Sequence, residues 1–301
     1  MVLDCDPGHD DALAIMLAAA HPAVDLLAIS TVGGNQTLDK TTLNARRVCD
    51  IAGITGVPVV SGLPGTGIVA ADVHGESGLD GPRFGLVSTP LTSADGIGFL
   101  VDLLRRQAAP VTVVATGPLT NVAALLSEVP DRIERVVFMG GSTAEGNITP
   151  YAEFNIFADP EAADATVRGG VPVTMIGLNV THQALADDAV CTRIAAIGTP
   201  LADTCVELLR FFGGTYRDIW GFPAPPLHDP VAVANVIDPT IVRTVHTRLD
   251  IELDGTFTRG ATVVDRYRRT GRPPNAHVAV GIDTGAFWDL MIGAINRLPR
   301  S

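Results

Sequence analysis

Four carboxylates fall within eight residues at the start of the chain: Asp4, Asp6, Asp10 and Asp11, in the stretch LDCDPGHDDA at positions 3–12. Like charges this close repel and raise one another's pKa values unless a cation sits among them. Part of the crowding has a structural explanation. An Asp at a helix start accepts from orphan N–H groups and suits the positive end of the dipole. That covers one or two of the four. It leaves Asp4 and Asp6 at the end of an apolar strand. The cluster therefore reads as a metal site, and oxygen-only ligands favour a hard ion, Ca²⁺ or Mg²⁺, over zinc.

Phosphoryl transfer is a competing reading. A strand ending in Asp-x-Asp resembles the nucleophile strand of haloacid-dehalogenase-type phosphatases. Those enzymes follow the second Asp with Gly-Thr or a similar small pair and hold phosphate with a downstream lysine. Here Pro-Gly-x-Asp-Asp follows, and the chain's single lysine, Lys40, falls early, on a predicted helix. Both features weigh against it.

Two further groupings carry chemistry. His228-Asp229-Pro230 puts a side chain that titrates near neutrality beside a carboxylate. It also reads as a helix start, with Asp capping and Pro at the first helical position. Asp-Pro recurs at Asp6-Pro7, Asp159-Pro160 and Asp238-Pro239, so the dipeptide alone is unspecific. In NITPYAEFNIFADPEAA (147–163), Asn147, Glu153 and Asn155 surround Phe154, a set suited to sugar hydroxyls. The alternative there is a plain loop leading to a helix capped by Asp159. LPGTG (63–67) lacks the GK[ST] ending and the GxGxxG spacing of phosphate loops and reads as a turn.

These residues need a scaffold. Short apolar runs at 1–5, 25–32, 57–61, 111–115, 135–139 and 171–176 read as strands. Amphipathic stretches at 10–20, 38–51, 94–107, 119–128, 160–167, 201–212 and 230–236 read as helices. The alternation predicts an α/β fold: an open, mostly parallel, Rossmann-like sheet flanked by helices. Strands at 246–253, 260–265 and 278–282, some antiparallel, and a helix at 287–298 complete it. No linker is evident, so a single domain over 1–301 is expected. The segment 75–82 lies in a longer structureless region and is a candidate lid. Ligands of such sheets bind beyond the carboxyl ends of the strands. The polar segments 33–37, 115–121, 139–142 and 177–183 fall there, on the same edge as the acidic stretch.

Bulk properties narrow the partners. A net charge of −12 argues against nucleic acid or an anionic membrane. The longest nearly apolar run, 12–20, is too short to span a bilayer. Neither a secretory signal nor a CxxC pair is visible. Cys5, Cys49, Cys191 and Cys205 read as reduced cysteines in a cytoplasmic protein.

Taken together, DCDPGHDDA, GNQT (34–37), HGESG (74–78), ATGPLTN (115–121), MGG (139–141), AEFNIFADPEAA (152–163), THQAL (181–185) and HDP (228–230) resemble, in order and spacing, the inosine–uridine-preferring nucleoside hydrolase family. The resemblance runs over essentially the whole chain. It implies hydrolysis of the N-glycosidic bond of a ribonucleoside to ribose and a free base, through an oxocarbenium-like transition state attacked by a metal-activated water. It further implies one Ca²⁺ on the carboxylates of Asp6, Asp11 and Asp229 and the carbonyl of Thr116. Asp6 doubles as the base, Asp4 lies behind the cluster, and His228 protonates the departing base. Asn35 is implied to help position the acidic residues at the substrate; Asp10, Asn147, Glu153 and Asn155 are implied on the ribose, with Met139 and Phe154 also binding substrate. His74, Phe212, Tyr216 and Trp220 are the base-side candidates, and Gly213-Gly214 is expected to loosen the segment that carries the last three. The resemblance also implies a homodimer or homotetramer. A module that binds nucleosides at the same calcium site without hydrolysing them is the alternative from another class.

Overall fold

In a computed structural model of the chain, residues 1–299 are described. Nine strands form one sheet: β1 (Val2–Cys5), β2 (Ala28–Thr31), β3 (Val59–Ser61), β4 (Val111–Ala115), β5 (Ile133–Met139), β6 (Val173–Ile176), β7 (Val242–Ile251), β8 (Thr262–Asp265) and β9 (Ala276–Ile282). Their order is β3-β2-β1-β4-β5-β6-β9-β7-β8. Every pairing from β3 to β9 is parallel, and β7 runs antiparallel to both β9 and β8. This is the expected open sheet, with its antiparallel addition towards the C-terminus. β1 and β4 are buried at every residue, as central parallel strands covered on both faces must be.

The helices are α1 (His9–Ala20), α2 (Leu38–Ile51), α3 (Ala71–His74), α4 (Gly96–Arg106), α5 (Thr120–Glu128), α6 (Phe154–Ala158), α7 (Pro160–Arg168), α8 (Leu178–Thr181), α9 (Asp188–Ala195), α10 (Pro200–Trp220), α11 (Asp229–Ile237) and α12 (Thr284–Arg297). One core packs Leu13, Val48, Leu209, Val233 and Met291, from α1, α2, α10, α11 and α12, on one face of the sheet. A second packs Leu100, Leu125 and Ala163, from α4, α5 and α7, on the other. α1 is buried from His9 to Ala18 and touches α2, α10, α11 and α12. An apolar helix with no wet face belongs in the interior. Its first turn therefore brings Asp10 and Asp11 inside with it.

The sheet order reverses at β1. β2 lies to one side of it and β4 to the other, so the loops after β1 and β4 diverge and leave a crevice at the carboxyl edge. Asp6 and Thr116 follow these two strands.

Most predicted elements are present, with ends moved by a few residues. Four short helices, α3, α6, α8 and α9, did not stand out in the periodicity. The larger correction concerns α10, which continues past Phe212 to Trp220. Gly213-Gly214 does not loosen it. Each Gly costs about 1 kcal/mol relative to Ala in a helix, but the buried stripe Leu209–Phe212–Tyr216 continues through the pair. A Cβ on Gly213 would stand 3.1 Å from the Pro225 ring, so the missing side chain admits that contact. Gly221, at φ +71°, ends the helix in the left-handed region.

Candidate active site

The chain turns from β1 into α1 through Asp6-Pro7-Gly8. Asp11 is the third residue of α1, and its Oδ2 accepts the Gly8 N–H at 3.0 Å, which caps the helix. The same carboxylate is held by Thr116 Oγ1 at 2.7 Å and Asn35 Nδ2 at 3.0 Å. One side chain thus serves both the helix start and the site. Asp6 Oδ2 accepts the Asn35 N–H at 2.7 Å, while its Oδ1 is buried with no hydrogen-bond partner among the described residues. Asp4 lies behind. Its Oδ1 accepts from Ser30 and from Asn121 Nδ2, and its Oδ2 is likewise unpartnered.

Asp229 begins α11, far along the chain. The Asp-Pro pattern alone suggests a helix cap, whereas the family resemblance implies a metal ligand. In the structure His228 occupies the cap position, and the Asp229 carboxylate turns to the acidic cluster instead. Asp10, Asp11 and Asp229 each offer an oxygen, and these lie within 4.8 Å of one another. Asp10 rather than Asp6 completes this compact trio. Burial, followed by the neighbouring carboxylates, holds Asp6 and Asp229 well above the usual range. Burial first and Asp11 second push Asp10 up to about 7. Asp4 is also pushed up to about 7, chiefly by burial. Unpartnered buried carboxylate oxygens and mutually repelling acids are what a bound cation would relieve. The donor set is all oxygen and fits a hard divalent ion.

Beside the cluster lies a cavity of about 270 Å³. Asp10, Asn35, Thr116, Met139 and Asp229 line one end, with Asn147, Glu153, Phe154 and Asn155 above them. Several of these polar groups are already engaged. The Glu153 carboxylate caps α6, accepting from Asn155 N at 3.0 Å and Ile156 N at 3.2 Å, and also takes Gly141 N at 2.8 Å. Burial nonetheless pushes it up to about 7. Asn155 Nδ2 donates to the carbonyls of Thr116 at 2.8 Å and Met139 at 3.1 Å. The Thr116 carbonyl therefore already accepts one hydrogen bond. Asn147 Oδ1 accepts the Phe154 N–H at 2.9 Å. The polar groups of 147–163 line the cavity, and Asp159 caps α7 through Ala162 N, as the helix-cap reading has it.

A family profile described as inosine-uridine preferring nucleoside hydrolase matches residues 1–289. The chain belongs to this family. It is 46% identical over 303 residues to the pyrimidine-specific ribonucleoside hydrolase RihA of Shewanella sp. (strain ANA-3), covering 98% of this chain and 95% of the relative. Against the RihA of Salmonella typhimurium it is 45% identical, covering 97% and 96% of the two chains. Among solved structures, the purine-preferring ribonucleoside hydrolase from Gardnerella vaginalis superimposes with a TM-score of 0.90 at 32% identity, over 98% of this chain and 97% of that one.

The opposite wall of this nucleoside hydrolase is aromatic. Phe212, Tyr216, Ile219 and Trp220 from α10 line it together with Ala70, Asp72, Val73 and His74, and the His74 ring stacks on Phe212 at a centroid distance of 5.2 Å. His228 Nε2 lies 2.6 Å from the Tyr216 hydroxyl, and its Nδ1 lies 2.7 Å from Thr181 Oγ1. Burial, and then His182, lower the His228 pKa well below the ordinary value. The sequence reading relied on that ordinary value for proton donation; in the fold the ring is a neutral link between two hydroxyls. Lys40 is tied to the Glu76 carbonyl and does not line the cavity, which removes the phosphatase reading's one candidate for a phosphate ligand.

Every predicted site residue lines the cavity except Asp6 and Asp11, which sit behind its floor. Sequence reasoning placed His74 but missed Thr181, His182, His9 and the other cavity-lining residues of α3, Asp72 and Val73. THQAL followed a predicted strand, so Thr181 and His182 stood at the correct edge. Nothing marked α3, a single turn inside a long loop.

Proposed function

We propose that this nucleoside hydrolase is Ca²⁺-dependent, cleaves the N-glycosidic bond of ribonucleosides to ribose and free base, and prefers pyrimidines. The buried Asp10–Asp11–Asp229 trio beside a cavity, with Asp6 Oδ1 unpartnered, carries the reading. Asp6, Asp11 and Asp229, with the second lone pair of the Thr116 carbonyl, would hold the ion. When bound, it acts as a Lewis acid that acidifies water and orients sugar hydroxyls.

The chain's own groups supply the rest. Asp6 Oδ1 takes the proton of the attacking water, because its other oxygen is held by Asn35. Asp10 accepts from the ribose hydroxyls. Asn147 keeps its amide nitrogen for the sugar, since its oxygen is used by Phe154. The clustered carboxylates stabilise positive charge on a ribosyl ring as the bond to the base breaks. The leaving base takes its proton from the Tyr216–His228–Thr181 chain, in which a hydroxyl and a neutral imidazole share protons.

The pyrimidine preference rests on the relatives of about 46% identity that carry that name. We also propose a cytoplasmic homo-oligomer, in keeping with the family resemblance and four free thiols. Release of reducing sugar from uridine, cytidine, inosine and adenosine, with and without chelator, tests the function. Release that a chelator does not alter defeats the calcium reading. Faster release from inosine than from uridine defeats the base preference. Binding without release would leave the non-catalytic module.

A further inference from the structure

His9 belongs to none of the groups assigned above, yet it is buried and stacked. Its ring lies parallel to those of His74, Phe211 and Phe212, at centroid distances of 5.3, 5.1 and 5.4 Å. Both ring nitrogens are engaged. Nε2 lies 2.8 Å from the Asp80 carbonyl oxygen, and Nδ1 lies 3.1 Å from His74 Nδ1. These two contacts fix proton positions. A carbonyl only accepts, so His9 Nε2 carries the hydrogen. In a neutral ring His9 Nδ1 is then a lone pair, and His74 Nδ1 must donate to it.

A second arrangement competes. The His9 backbone N–H also points at His74 Nδ1, at 3.4 Å. A cationic His9 could satisfy both contacts. It would place a charge inside a closed ring stack, with no ion pair to either histidine among the described residues. The shorter contact and the burial favour the neutral pair. His74 can reach this position only because residue 8 is Gly: a Cβ there would stand 2.5 Å from His74 Nδ1.

The consequence falls on His74 Nε2. It has no hydrogen-bond partner among the described residues, and His74 lines the aromatic end of the cavity. We infer that His9 is a positioning residue for base recognition: backed by the Asp80 carbonyl, it holds the proton of His74 on Nδ1 and leaves Nε2 bare for a base that offers an N–H. Uracil offers its ring imide N–H and cytosine its exocyclic amine. A base without either group leaves the acceptor unmet. The inference rests on the ribonucleoside reading for the ligand, but the tautomer itself can be read without substrate.

Long-range ¹H–¹⁵N spectra of histidine-labelled protein with Ca²⁺ present should show His74 protonated at Nδ1 and bare at Nε2, with His9 the reverse. Assignment uses the single variants. A His74 protonated at Nε2, or a doubly protonated His9, overturns the inference. Kinetically, the ratio of kcat/KM for uridine to that for the ribonucleoside of 2-pyrimidinone, whose base has no N–H, is compared between wild type and two variants. His9→Phe keeps a flat ring but offers no acceptor, and the ratio should fall about tenfold. His9→Gln supplies an amide oxygen and nitrogen in place of the two ring nitrogens and should keep the ratio within about threefold. An unchanged ratio in a folded His9→Phe overturns the inference. Should that variant not fold, a wild-type His74 bare at Nε2 together with a retained ratio in His9→Gln supports it. The predicted tautomer with no hydrolysis of either nucleoside by wild type would count against the hydrolase reading and for the histidine pair.

Discussion

The Tyr216 hydroxyl lies 2.6 Å from His228 Nε2, which joins the aromatic wall of the cavity to the residue just before Asp229. Both residues line the cavity with Asp10 and Asp229 of the acidic cluster, in reach of a departing base. His228→Ala should lower kcat/KM for uridine by about 10²–10⁴-fold. The effect on p-nitrophenyl riboside, whose leaving group needs no proton, should be less than about tenfold. Equal losses on both substrates would remove the pair from leaving-group protonation.

Asp11→Ala removes a carboxylate that caps α1, bonds Thr116 and Asn35, and belongs to the acidic trio. It should abolish both stoichiometric Ca²⁺ binding, read by calorimetry, and nucleoside hydrolysis. In wild type, Ca²⁺ at about a hundred times its dissociation constant should stabilise the fold by about 2.7 kcal/mol, read by thermal unfolding. Asp11→Ala should show no such gain.

Metal-free protein should have a stability that falls as pH rises. Burial holds Asp4, Asp10 and Glu153 at about 7 in the folded chain, against about 4 in an unfolded one. Between these values the folded state binds more protons. The stability these groups contribute is therefore fully present below about pH 4 and lost as pH rises through about 7. After chelation the melting temperature should be higher at about pH 7 than at about pH 8.5, a window above the ordinary histidine pKa. Saturating Ca²⁺ should flatten the slope. A melting temperature that rises with pH in chelated protein would contradict the buried-carboxylate account.

Gly117 follows Thr116, and a Cβ there would stand 2.7 Å from Asp6 Oδ1, the unpartnered oxygen. Gly117→Ala should cut kcat by at least about tenfold while leaving far-UV circular dichroism unchanged. Full activity would mean that Asp6 can move without penalty.

Gly214 has nothing within 4 Å of its would-be Cβ and sits inside α10. Gly214→Ala should raise stability by about 0.5–1 kcal/mol. A loss of stability would mean that this stretch leaves the helical state.

The parallel strands were legible because strands buried on both faces are written as unbroken apolar runs, as in VTVVA at 111–115. The acidic cluster was legible because local propensity cannot explain Asp4 and Asp6. What was not legible depended on contacts across the chain. The helix through Gly213-Gly214 is favoured by packing against Pro225, which no local pattern contains. His9 carried no signal of its own, because its partners His74 and Asp80 lie more than 60 residues away, in and after the single turn of α3. Asp229 was found, but the local Asp-Pro pattern suggested a cap, whereas its carboxylate joins side chains from the other end of the sequence.

That separation bears on synthesis. Asp10 and Asp11 are made after only one of the nine strands, and Asp229 only after six of them. β9, made later still, wedges between β6 and β7. The growing chain thus carries its acidic stretch at 4–11 without the third member of the trio. Until α10, α11 and α12 are made, α1 lacks three of the four helices that bury it. The trio is complete only once α11 is made, so a chain cut short before Asp229 is expected to be inactive.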